Sequence, residues 1–149
     1  MTKAIQALLS GMFFTFFIDF FIFLGIKQNY IDFYEIDLYY NILFADHQNG
    51  YLFFTVSIIL GYLIIYINNN KISITVIGFL SILALSTLIH GVGNKLGEDL
   101  LMTKNITLKD SRYTYHGDIY YDGRKQITFF DYELNKIIIL DKNELKDKN

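Results

Sequence analysis

Asp19 is the residue of this sequence whose position most needs a chemical explanation. It lies within an otherwise uncharged apolar run, residues 4–26, that is long enough to cross a membrane. An ionisable side chain at such a depth costs about 2.5 to 3.5 kcal/mol on insertion scales, so a partner group, water or a bound proton must offset that cost. Asp19 therefore predicts one of two roles: a hydrogen-bonding contact between helices, or a step on a proton or cation route.

Three further residues could work with Asp19 on such a route, because carboxylates and imidazoles bind protons and divalent metal ions. They are Asp46, His47 and His90. Asp46 and His47 form only a dipeptide, and the sequence contains no HExxH motif or other regularly spaced ligand set. Solvated loop acids and a histidine at a helix end explain the same residues, so both interpretations stay open.

Small and weakly polar residues accompany the acid at helical spacing. Ala7, Gly11 and Thr15 precede Asp19 at intervals of four residues, which keeps them on neighbouring faces of an α-helix. Small side chains let helices approach closely in lipid. The corresponding small residues of the later apolar runs are Ser57, Gly61, Gly78 and Ser86. We expect all of these positions to face other helices, in this chain, in a second copy or in another membrane protein.

The elements that carry these residues are three predicted transmembrane helices, at about residues 4–26, 51–67 and 72–90. The polar stretch 68–71 is so short that the second and third helices should be antiparallel neighbours. A cleaved signal peptide is the alternative for the first run. We interpret the run as a retained anchor, because it exceeds the usual apolar core of about 7 to 15 residues and no small-x-small cleavage pattern follows it.

The remaining sequence divides into a surface segment and a β-rich region. Residues 28–50 alternate tyrosines with acids, which is typical of a segment at the membrane surface. After residue 93 the pattern favours strands, and Asp122-Gly123 and Asn135-Lys136 predict turns. We therefore expect a membrane domain at 1–93 and a small extramembrane domain at 94–149. The latter should contain three or four antiparallel strands at about 105–141 and a solvated charged tail, so the fold class is α+β overall.

Composition excludes several classes of function. The formal net charge is −2 and no basic tract is present, which argues against binding to nucleic acid. Cysteine is absent, so disulfides, thiolate metal sites and cysteine nucleophiles are excluded. No nucleophile or phosphate-loop motif is present and no cofactor is expected, which makes an enzyme the third hypothesis. The abundance of Ile, Phe, Tyr, Asn and Lys, all with A/T-rich codons, indicates a bacterial source.

Three spans would place the loop after the first helix and the tail after the third on the same side of the membrane. That side would also hold Asp46, His47 and His90, with Asp19 nearest to it. A count of lysines mildly favours a cytoplasmic tail. The short lysine-bearing start resembles a signal anchor, and on that ground we expect a cytoplasmic N-terminus and a periplasmic or otherwise extracytoplasmic C-terminal domain in the bacterial inner membrane.

Two functions then compete. The first is an accessory, assembly or interaction subunit of a membrane complex, with membrane lipids and other subunits or a second copy as partners. The alternative is a small transporter or channel for protons, other ions or a divalent metal, using Asp19. The small-residue positions favour the first hypothesis, and the acid and the histidines favour the second.

Overall fold

The computed structural model describes residues 2–67 and 69–148. Across these residues the chain is α+β, as the sequence predicts. The helices are α1 (Lys3–Ile26), α2 (Tyr40–His47), α3 (Gly50–Ile65), α4 (Asn70–Ser86) and α5 (His90–Leu101), and a π-helical turn (Lys27–Ile31) extends α1. The strands are β1 (Thr103–Asp110), β2 (Thr114–Asp122), β3 (Gln126–Asp131), β4 (Lys136–Asp141) and β5 (Leu145–Lys148).

The N-terminal helix has the length and composition of a membrane-spanning helix. With the π-helical turn it runs unbroken from Lys3 to Ile31, over 29 residues. At 1.5 Å per residue this is about 44 Å, well beyond a hydrocarbon core of about 30 Å. Among the described residues, no other single helix is both long enough and apolar enough to cross a membrane.

The other apolar segments are helices that bend sharply. The axes of α2 and α3 differ by 84°, and those of α4 and α5 by 87°. Each pair has the length and apolar composition of a span only when its two helices are taken together. The helix predicted at 72–90 therefore ends earlier than expected, at Ser86, and the chain changes direction before His90.

Helix α5 was not expected from the sequence. Its twelve residues include Gly91, Gly93 and Gly97, and each glycine costs a helix about 1 kcal/mol relative to alanine. Gly93 and Gly97 are buried on the side of α5 that meets the end of α1. Tertiary packing therefore overrides the low helix propensity of this segment. The helix also crosses the domain boundary expected at residues 93 and 94.

The β-rich region begins as the predicted antiparallel meander. Its strands β1 to β4 follow one another in space as in sequence. The turn after Asp122-Gly123 joins β2 to β3, and Asn135 begins β4 from a positive φ of 49°. Gly123 does not have a positive φ. The turn therefore forms without the left-handed backbone conformation for which a glycine was expected there. The predicted solvated tail is wrong in part, because residues 145–148 pair with β1 as β5.

The position of β5 requires the sheet to curl. It lies at the opposite edge from β4, yet only residues 142–144 connect them. Opposite edges of a flat sheet of this width would be about 19 Å apart, whereas the link from Asp141 to Leu145 reaches only about 14 Å. The sheet therefore wraps around a core of its own, formed by Leu108, Ile119, Ile127 and Phe129.

The outside of this sheet packs against the helical region. Tyr121 joins a second buried cluster with Tyr30, Ile31 and Leu43. The Tyr30 hydroxyl donates a hydrogen bond of 2.7 Å to the carbonyl of Tyr120. A small sheet is marginal alone, and here Tyr120 and Tyr121 of β2 pack against the cluster formed by residues 26–43. This packing places the sheet at the C-terminal end of α1.

Candidate functional site

The contact between α1 and α3 is built on the small residues of both helices. A Cβ atom added to Gly11 would lie 1.8 Å from the carbonyl oxygen of Ser57, and one added to Gly61 would lie 2.1 Å from that of Ala7. Residues nearer the C-terminus of α1 thus meet residues nearer the N-terminus of α3, so these helices are antiparallel. The structure brings these four predicted packing residues together in backbone-to-backbone contact.

Two hydroxyl groups are buried near this contact. Thr15 is 2% exposed and Ser57 is fully buried. Within the described residues neither Oγ makes a hydrogen bond, and an unpaired buried hydroxyl costs free energy. Thr15 also lines the cavity that contains Asp19. The structure therefore puts Thr15 beside the acid without a hydrogen bond between the two side chains.

Asp19 lies opposite the first turn of α3. It receives a hydrogen bond of 3.0 Å from the Gln48 amide, which belongs to the break between α2 and α3. Within the described residues no Lys, Arg or His nitrogen lies within 4 Å of the carboxylate. The positive end of the α3 dipole lies at the same level and favours negative charge there. Asp19 thus has one neutral donor and no ion pair.

The acid faces a cavity of about 380 Å³. Its polar lining comes from Thr15, Asp19, His47, Gln48 and Asn49, and all of these except Thr15 lie near the junction of α2 and α3. The apolar lining includes Leu52 and Val56 of α3, together with Leu80 of α4 and Leu100 of α5. The cavity therefore has a polar end at the level where α3 begins and apolar walls along the helices.

The remaining candidate ligands do not join Asp19. The Nε of Arg124 donates to both carboxylate oxygens of Asp46 at 3.1 Å, and an Nη donates to the same group. The His90 ring packs on Phe33, with 5.1 Å between ring centroids. Within the described residues no group of three or more His, Cys, Asp or Glu side chains could hold a metal ion. Asp19 and His47 line one cavity, whereas Asp46 lines a different one beside Arg124.

Gly78 and Ser86, the predicted packing residues of α4, make few contacts. A Cβ added to Gly78 would meet nothing within 4 Å among the described residues. The Ser86 hydroxyl donates at 2.7 Å to the carbonyl of Leu83, in its own helix. The structure thus separates these two residues from the contact between α1 and α3.

A polar junction that sequence reasoning missed holds the bend between α4 and α5 against α1. The Thr87 hydroxyl contacts the carbonyls of Phe21 at 3.0 Å and Ala84 at 2.7 Å, and can donate to either. The Asn29 amide donates to the Thr87 carbonyl at 2.9 Å. The Asn94 amide donates to the carbonyl of Asn29, also at 2.9 Å. The only sequence signal is the presence of amide and hydroxyl side chains at the ends of apolar runs.

The pair between Asp46 and Arg124 joins α2 to the turn between β2 and β3. Hydrogen bonding to the Arg124 guanidinium lowers the pKa of the Asp46 carboxyl group. Because the folded-state pKa is below the unfolded value of about 3.9, the pair stabilises this contact above that pH. The stabilisation is lost as the pH falls through the folded pKa.

We expect Arg124→Gln to loosen the hairpin at neutral pH, because it removes this contact. Amide exchange at residues 123–126 should become roughly two- to five-fold faster than in wild type, the effect of one exposed ion pair. The difference should shrink as the pH falls through the lowered pKa of Asp46, because protonation of that carboxyl group removes the ion pair from the wild type as well. Lys125→Gln, which changes the next residue of the same turn, is the control and should leave exchange unchanged. Equal exchange in wild type and Arg124→Gln at pH 7 would contradict the contact.

Comparison with known proteins identifies no relative: no family model, no curated protein and no solved structure matches the chain.

Proposed function

We propose that this chain is a small integral membrane protein that crosses a bacterial inner membrane three times and acts as an accessory, assembly or interaction subunit of a membrane complex. In this arrangement α1, α3 and α4 cross the membrane. The helices α2 and α5 bend away to lie along one surface, and the sheet stands on that surface. The N-terminus lies in the cytoplasm and the sheet on the opposite, extracytoplasmic side.

Helix directions support the three spans. The contacts Ala7–Gly61 and Gly11–Ser57 make α3 antiparallel to α1. Thr87, just after α4, is bonded to Phe21 near the C-terminal end of α1, so α4 is parallel to α1. The helices α3 and α4 measure about 24 and 26 Å. They are slightly shorter than the hydrocarbon core, and bilayer thinning accommodates such mismatch at a modest cost.

The observation that carries the interaction role is the open middle of α4. The buried residues of α4 are Ser73 and Ala84, near its two ends. The Ser73 hydroxyl donates to the Leu63 carbonyl at 2.8 Å, and the other end meets α1. Between these anchored ends Gly78 has open space around it. A helix in lipid associates through close packing at small residues, and the middle of α4 leaves such a surface available to another helix.

Gly78→Leu tests this surface directly. The added side chain has room within the chain, so the folded monomer should be retained. It would obstruct a neighbouring helix, and we expect association in the membrane to weaken by about tenfold or more. The measurement is chemical cross-linking in native membranes, followed by native gel electrophoresis of the solubilised complexes.

Gly91→Leu is the matched control. Gly91 also has nothing within 4 Å of an added Cβ, but it lies on α5, away from the middle of α4. The control should leave the cross-linked complexes unchanged. A wild-type protein that is extracted as a uniform monomer without cross-linked neighbours would remove the proposal, and so would equal behaviour of the two variants.

Transport of protons or other ions is the second candidate, favoured by the shared cavity of Asp19 and His47. Reconstituted liposomes provide the test. Proton or metal flux that depends on the protein and is lost in Asp19→Asn would support transport. The absence of flux with and without divalent metal would dispose of it.

A further inference from the structure

The cavity at Asp19 has the features of a binding site for one membrane amphiphile. Its volume of about 380 Å³ falls within the range of small-molecule sites, about 300 to 1,000 Å³. A whole helix, at about 10 to 12 Å across with its side chains, is too large for it. The occupant that fits is therefore a single extended chain with a compact polar group.

The charge of the site selects the head group. Asp19 accepts one hydrogen bond, from the neutral Gln48 amide, and has no cation within 4 Å among the described residues. A carboxylate at the edge of an apolar cavity is stabilised by a cationic hydrogen-bond donor, since charge-assisted hydrogen bonds are about twice as strong as neutral ones. A primary ammonium group supplies three such donors.

The layout of the cavity matches a lipid in the membrane. Asn49 caps the N-terminus of α3 through a 3.1 Å hydrogen bond from the Leu52 amide, and this end of α3 is level with Asp19. The walls continue from there along Leu52 and Val56, one to two helical turns deeper, and Leu80 of α4 also lines the cavity. The helices α3 and α4 contact each other at few positions.

We propose that the cavity binds a phospholipid whose head group carries a primary ammonium group. The ammonium meets the Asp19 carboxylate, and one acyl chain lies along Leu52, Val56 and Leu80. His47 lines the same end of the cavity and therefore borders the head group. This inference deepens the proposed function and rests on its membrane location, because it assigns the protein a lipid partner of defined chemistry.

Native mass spectrometry of the detergent-purified full chain, titrated with defined lipids, tests the proposal. We expect one phosphatidylethanolamine to bind at least tenfold more tightly than phosphatidylcholine, whose quaternary nitrogen has no N–H donor. Anionic phosphatidylglycerol should bind no better than phosphatidylcholine. Equal binding of the three lipids would overturn the head-group assignment.

Three variants locate the lipid. Asp19→Asn, which keeps the shape of the side chain and removes its charge, should abolish the preference for phosphatidylethanolamine. Asp37→Asn, which changes an exposed acid outside the cavity, should retain the preference. Val56→Phe fills the cavity without altering charge and should reduce binding of the lipid by tenfold or more. Retention of the preference in Asp19→Asn, or undiminished lipid binding in Val56→Phe, would overturn the site.

The lipid test and the association test can fail separately. Lipid binding is measured on the isolated chain, whereas cross-linking at α4 is measured in native membranes with Gly78→Leu. If Asp19→Asn leaves lipid binding intact but eliminates the cross-linked complexes, the cavity receives a basic side chain of a partner helix and the lipid proposal is wrong. If Asp19→Asn removes only the lipid preference, the lipid site stands whatever Gly78→Leu does.

Discussion

Gly11→Ala should lower the free energy of unfolding in detergent by about 2 to 3 kcal/mol, the cost of overpacking a tight contact. The added Cβ would lie 1.8 Å from the Ser57 carbonyl oxygen and 2.8 Å from the Gly61 amide nitrogen. Both are backbone atoms, so no side chain can rotate away and α1 must separate from α3. The measurement is the change in helical circular dichroism during titration with a denaturing detergent.

The control makes the result interpretable. Alanine favours a helix over glycine by about 1 kcal/mol, so helix propensity alone predicts stabilisation by Gly11→Ala. Gly78→Ala makes the same chemical change in α4, where an added Cβ meets nothing, and should be neutral or slightly stabilising. Similar stability of the two variants would mean that α1 and α3 do not approach each other as closely as the structure shows.

The second large effect is expected at the junction of α5 with α1. Gly93→Ala places a Cβ 2.1 Å from the Thr87 carbonyl oxygen and 2.8 Å from that of Gly25. The Thr87 oxygen is the acceptor of the Asn29 hydrogen bond, so the clash also disrupts that bond. We expect α5 and the attached sheet to detach from the end of α1, with loss of about 2 to 3 kcal/mol.

Limited proteolysis and amide exchange measure this detachment. In Gly93→Ala the segment at residues 98–103 should become cleavable, and exchange at residues 120 and 121 of β2 should accelerate because they pack against the helical region. Gly91→Ala, two residues earlier in the same helix and in open space, should behave as wild type. An unchanged proteolysis pattern in Gly93→Ala would show that this junction does not hold α5 in place.

Local sequence patterns were sufficient for much of the architecture. The apolar run at 4–26 predicts α1, because a helix satisfies its own backbone hydrogen bonds and needs only apolar side chains to persist in lipid. Turn residues at Asp122-Gly123 and Asn135 predict the hairpins, since a turn depends on few neighbouring residues. Four-residue spacing puts Ala7, Gly11 and Thr15 on one side of α1, the side that the structure packs against α3.

The sequence-based predictions were wrong where contacts with distant residues outweigh the local conformational preference of a segment. Glycines at 91, 93 and 97 argue against a helix, yet close packing on Gly25 and Tyr30 outweighs their propensity in α5. The apolar run continues past Ser86, but the Thr87 hydroxyl contacts a carbonyl 66 residues away and the helix ends there. Residues 145–148 look like a solvated tail because their partner strand is more than thirty residues earlier.

The candidate site also has features that the sequence predicts and features that only the tertiary structure shows. Sequence alone determined that Asp19 sits in apolar surroundings and needs a partner, because hydropathy and the cost of a buried charge depend only on residue type. Only the tertiary structure decided which groups share its cavity. The breaks after α2 and α4 bring Gln48, His47 and Leu100 to the cavity of Asp19. Asp46 instead forms an ion pair with Arg124, 78 residues away. Such pairings depend on bend angles and strand register, which arise from the packing of the whole chain.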